Sequence, residues 1–122
     1  MTIKVVYCLT RKAGLTREQF QHYWLATHGP KVKSFADVIG LSRYVQSHTY
    51  TSAMGQALAQ SRGGAEPYDG IMEGWMESEE ATMAVLGKDA GQQAMATLLD
   101  DEGRFIDFER SRIFLTVEHV IY

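Results

Sequence analysis

Four short runs rich in β-branched and aromatic residues, at positions 3–10, 41–50, 68–77 and 112–121, alternate with helical periodicities in the order β-α-β-β-α-β. That order is the split βαβ arrangement of a ferredoxin-like α+β fold with an antiparallel sheet, and it predicts the strand order 4-1-3-2. The first helix has a marked start: Thr16 and Gln19 make a capping box, each satisfying a backbone N–H that the first turn leaves free. Phe20, Trp24 and His28 follow at four-residue spacing, so an otherwise apolar stripe ends in an ionisable side chain. Gly29 and Pro30 are expected to interrupt the helix there, leaving His28 at a carboxyl end. Pro30 can then open a continuing helix whose apolar positions are Val32, Phe35, Ala36 and Ile39, with Gly40 ending it.

The second run carries Tyr44, Gln46, His48 and Tyr50 on one face and Arg43, Val45, Ser47 and Thr49 on the other. Residues 51–67 form a long connection with Gly55, Gly63, Gly64 and Pro67 and a helical turn near Met54 to Leu58. Ser78 is expected to cap a short helix through Val85, and a further helical stretch runs from about Ala90 to Asp100. In the predicted sheet, His28 would approach Trp75, Glu77, His119 and Tyr122. Asp69 would lie at the opposite edge, near Thr10.

The 122 residues, 45% hydrophobic, suit one domain spanning 1–122. A net charge of −3, with the 12 Lys and Arg scattered, argues against a nucleic-acid surface. Cys8 alone can form no disulfide within the chain, which favours a reducing, cytoplasmic setting. The opening MTIKVVYCLTRK is too short in its apolar run for a signal peptide, and no segment has the length of a membrane span.

For proton chemistry the candidates are His28 first and Asp69 second, because imidazole titrates near neutrality and an enclosed carboxylate can be raised toward it. Each has a structural alternative: His28 as a helix terminator, Asp69 as a turn former before Gly70. Trp24, Tyr44, His48, Trp75 and His119 are candidates to line a substrate pocket. Trp24 and Trp75 are equally core residues, and His48 a sheet-face or dimer-contact residue. Asp100, Asp101 and Glu102 read as a solvated charge run with Arg104 as a local partner. Nucleotide, P-loop, zincin, dithiol and serine-hydrolase motifs are missing, and the histidines lack ligand spacing, so neither cofactor nor metal is expected.

The runs LTREQFQHYWLATHGP, PYDGIMEGWMES and DDEGRFIDFERSRIFLTVEHVIY resemble the EthD domain of the dimeric α+β barrel superfamily. The resemblance rests on Phe20, Trp24, His28 and Pro30 with Asp69, Gly70 and Trp75, then Asp101, Phe105 and Asp107. It implies a subunit that dimerises through its sheet, with a pocket between helices and sheet, and links to ether degradation or to dehydration of aromatic polyketides. A homodimer is expected on physical grounds too, since helices on one side leave the other sheet face uncovered. The sequence therefore points to a cofactor-independent enzyme that moves protons on an aromatic or polyketide-like small molecule, ending in dehydration, cyclisation or isomerisation. The alternatives are an oxygenase of the same barrel type and a noncatalytic binding protein of a degradation pathway.

Overall fold

The computed structural model describes all residues, 1–122. Strands β1 (Ile3–Leu9), β2 (Arg43–His48), β3 (Gly70–Met76) and β4 (Arg112–Thr116) form one antiparallel sheet in the order β2-β3-β1-β4, the expected 4-1-3-2. Helices α1 (Arg17–Tyr23), α2 (Gly29–Ile39), α4 (Glu79–Leu86) and α5 (Asp89–Glu102) accompany it, and α3 (Ala53–Ser61) is an exposed helix in the β2–β3 connection. The ferredoxin-like α+β architecture is thus the one the element order requires. The expected helical turn near Met54 is longer, nine residues capped by Ser52.

Register sets the faces. Tyr7 pairs with Met72 on one side and Ile113 on the other, and Val5 with Gly74 and Leu115, so these residues point to the helices. Tyr44, Gln46 and His48 join them from β2. Lys4, Val6 and Cys8 point the other way and are half-buried.

The Thr16 capping box forms as expected, and Gly40 ends α2 in the left-handed conformation at φ 77°. The Gly29–Pro30 break does not. Residues Trp24–His28 make a π-helical turn that joins α1 to α2 with right-handed backbone throughout, and the Gly29 N–H bonds the Trp24 carbonyl five residues back. Pro30 has no N–H to give, and its ring would press on the carbonyl four residues earlier; the wider turn relieves both problems. His28 is therefore inside a continuous helix, not at an end. The Trp24 carbonyl also accepts from Gln46 Nε2 at 2.9 Å, which pins the turn to β2.

Two apolar clusters fill the space between helices and sheet. Tyr7, Leu9, Phe20, Trp24, Phe105 and Ile106 form one, and Val32, Ile39, Ala94 and Leu98 the other. Trp24 lies against Gly70: a methyl at Gly70 would sit 2.4 Å from Trp24 Cζ3 and 3.0 Å from the Ser47 carbonyl. Gly70→Ala should therefore lower stability by about 1–3 kcal/mol, the range for overpacking a filled core, as read by urea unfolding.

Candidate active site

His28 is 5% exposed and Asp101 2%, and they meet across 2.8 Å between His28 Nδ1 and Asp101 Oδ2. The π turn carries the imidazole, and the last turn of α5 carries the carboxylate. On α5 the buried positions Gly91, Ala94, Leu98 and Asp101 continue one stripe, so the same periodicity that buries Leu98 also buries Asp101. The expected solvated charge run is thus correct only for Asp100, whose exposed carboxylate pairs with Arg104 at 3.3 Å.

Asp101 has three donors. Tyr23 gives its hydroxyl at 2.5 Å and Lys31 its ammonium at 3.1 Å, both to Oδ1, while His28 takes Oδ2. Burial works against the charge, yet these three bonds outweigh it and hold the carboxyl down at about 2. An ionised carboxylate only accepts hydrogen bonds, so Nδ1 of His28 must carry the proton and Nε2 the lone pair. Burial lowers the His28 pKa below its ordinary value, with the bond to Asp101 offsetting only part of that. The imidazole is neutral at pH 7 and can accept a proton at Nε2.

His28 lines a cavity of about 530 Å³ between the sheet and α2 and α5. Its walls are almost wholly apolar, from Val5, Leu9, Met72 and Met76 of the sheet to Val32 and Leu98 of the helices. Tyr7, Tyr44 and Glu102 supply the other polar groups. At the β4 edge Met95, Leu99, Phe108, Ile113 and Leu115 are about half exposed and also line the cavity, so its rim is apolar. A size of this order holds a small organic molecule, and a few polar groups in an apolar wall would orient it.

The expected site residues divide into three places. Trp24, Tyr44 and His28 line the cavity together, with the Tyr44 hydroxyl accepting from Gln46 Nε2 at 2.9 Å. His48 lies just behind, stacked on Trp24 at 4.6 Å between ring centroids and bonded through Nε2 to Gln46 Oε1. Asp69 belongs to a separate polar groove: Oδ1 accepts from Arg11 at 2.6 Å and Arg17 at 2.9 Å, and Oδ2 from the Arg11 backbone N–H at 2.7 Å. Burial would raise its pKa, but these donors win and keep it below the ordinary carboxylate value.

Trp75 and His119 do not approach His28. Trp75 points to the opposite face of the sheet, where its indole N–H donates to Glu118 at 2.7 Å and Arg43 lies 4.6 Å over its ring. β4 ends at Thr116, so His119 and Tyr122 stand exposed in the segment after it, and Glu77 is exposed as well. The expectation failed because it went by strand ends alone: Trp75 alternates with Gly74 and Met76 and so faces away from the helices, and β4 stops before His119.

Asp101 and Glu102 are the functional candidates that the residue-by-residue reading passed over. Their signal was present in the stripe Ala94, Leu98, Asp101, and in three acids at a helix end whose partial charge repels them.

No helix is long and apolar enough to cross a membrane. Among curated proteins none matches this sequence. Several solved structures share the fold at low identity. An EthD family protein from Bacillus halodurans C-125 is 16% identical, with a TM-score of 0.63 over 98% of this chain and 100% of its own. A dimeric ferredoxin-like protein of unknown function from Thermobifida fusca is 13% identical, with a TM-score of 0.58 over 97% and 92%. SnoaB of Streptomyces nogalater, described as a cofactor-independent oxygenase, is 11% identical, with a TM-score of 0.55 over 98% and 96%. The model of the EthD domain matches residues 12–109, a span that holds the helix-borne His28, its partner Asp101 and two of the four strands, and the chain belongs to the EthD family.

Proposed function

We propose that the protein is a small-molecule enzyme that works without a cofactor, with His28 as the general base on an aromatic or polyketide-like substrate held in the apolar cavity. The observation that carries this reading is the 2.8 Å bond from His28 Nδ1 to a buried, ionised Asp101 at the cavity wall. The carboxylate fixes the tautomer and would stabilise the imidazolium formed when Nε2 takes a proton. Tyr44, which lines the same cavity, would hold a developing enolate oxygen through its hydroxyl, and Trp24 would form part of the wall. Loss of a carbon-bound proton then leads to dehydration, cyclisation or isomerisation. Asp69 serves in this reading as the ion-paired anchor of the β3 start, not as a proton carrier.

A screen by thermal shift, using uncharged aromatic and polyketide-like ketones, would find ligands, and product analysis would follow. Ligands that raise the melting temperature but are never converted would favour the binding-protein alternative. The fold shared with SnoaB favours a second reading, in which the carbanion formed at the same site reacts with dioxygen. Conversion that requires oxygen and consumes it would select that reading.

The protein is also proposed to be a homodimer joined through the uncovered sheet face. Val6, Val45, Ile71 and Phe114 alternate there with the Lys4–Glu73 ion pair, leaving apolar surface for a second copy. Sedimentation at micromolar concentration should give a mass near twice 13.7 kDa, and a clean monomer would overturn the pairing.

A further inference from the structure

We propose that Glu102 is the proton donor that completes the site, so that the reaction removes water from an uncharged β-hydroxy ketone or a close relative. The inference deepens the reading of His28 as a base and rests on it. Glu102 is the only carboxyl among the residues lining the cavity, and no lysine or arginine lines it. A substrate anion would enter an apolar space without a counter-charge, next to the ionised Asp101, so the cavity favours neutral molecules.

The polar groups that share the cavity with Glu102 are Tyr7 on β1, Tyr44 on β2 and His28 on the π turn, and Asp101 precedes it on α5. Burial pushes the Glu102 carboxyl up to about 7, the Tyr7 hydroxyl beside it draws it partly back, and the charge of Asp101 adds to the rise. A substantial share of Glu102 is therefore a neutral acid at the pH where His28 is a neutral base. The two groups are pushed apart in role by their surroundings, the arrangement that divides acid from base work.

The step balances with these two residues. His28 Nε2 takes the proton from the carbon between carbonyl and carbinol. The electron pair of that C–H bond first makes an enolate, which can take a proton back from the imidazolium; its collapse re-forms the carbonyl and makes the carbon–carbon double bond as the carbinol C–O bond breaks, and the leaving hydroxyl takes the Glu102 proton to depart as water. The site is left as imidazolium and carboxylate, and one proton passing from His28 to Glu102 restores it.

The aldol of acetone with benzaldehyde, a neutral β-hydroxy ketone, serves as the probe. Deuterium uptake at its α carbon in heavy water reports the base, and appearance of benzalacetone reports the elimination. Glu102→Gln keeps the shape of the neutral acid, and its circular dichroism should match that of the parent. Its elimination should fall by about 10²-fold or more and its exchange by less than about tenfold, the contribution expected of one positioned acid. In the parent protein elimination should decline above about pH 7 while exchange does not, and the variant should lose that limb. Elimination that survives in the variant, or that falls only as far as exchange does, overturns the donor role. So does a parent protein that exchanges without eliminating. A parent that neither exchanges nor eliminates refutes the base assignment of His28 and this inference with it, and is recognised by the missing deuterium together with the missing benzalacetone.

Discussion

His28→Gln is expected to fold as the parent does and to lose about 10²–10⁴-fold in turnover, the contribution of a positioned general base. Glutamine can still donate a hydrogen bond to Asp101 Oδ2 across the present 2.8 Å, so the buried carboxylate keeps a partner. It has no group that takes a proton near neutral pH. The structure removes the competing view that His28 closes a helix, since the backbone runs on in right-handed conformation through Gly29 into α2. A companion variant, Asp101→Asn, can present an N–H to Nδ1 and so favours the tautomer with its proton on Nε2, which blocks the base. Unchanged turnover in His28→Gln, measured beside its unfolding free energy, would show the imidazole to be structural.

The second large effect is one of stability. Trp24→Ala should cost about 3–5 kcal/mol, as removal of a large buried aromatic does when its surroundings cannot collapse. The ring is 1% exposed, tilts against Phe20 at 5.7 Å, stacks on His48 at 4.6 Å and packs on Gly70. All three partners sit on regular elements, Phe20 on α1, His48 on β2 and Gly70 on β3, so little movement can fill the space. Denaturant unfolding at fixed protein concentration reads the loss. A cost below about 1 kcal/mol would mean that Trp24 lines an open cavity wall and contributes little to the core.

Legibility in the sequence followed the range of the interaction. The Thr16 capping box, the Ser78 cap and the Gly40 stop are local features, each written within a few residues, and the strand order follows from the sequence of elements they delimit. The partner of His28 lies 73 residues away on α5, and charge composition hid it, because acids at a helix end are ordinarily solvated. Burial of Asp101 follows from packing α5 against the π turn, a tertiary fact that periodicity only hinted at. The π turn itself was masked by Gly29–Pro30, which in most sequences ends a helix; Gln46, supplying a second donor to the Trp24 carbonyl, belongs to a different strand. Trp75 shows the opposite case. Its alternation with Met72, Gly74 and Met76 was readable, and taking it as decisive would have put the indole on the open face, beside Lys4 and Arg43.

The placement of a proton on His28 is the point on which the proposed chemistry turns, and long-range ¹H–¹⁵N correlation of the histidine ring nitrogens reads it without any substrate. At pH 7 the imidazole should be neutral with its proton on Nδ1, bound to Asp101, and its titration midpoint should lie below the ordinary 6.5. An imidazolium at pH 7, or a neutral ring with its proton on Nε2, would contradict the account.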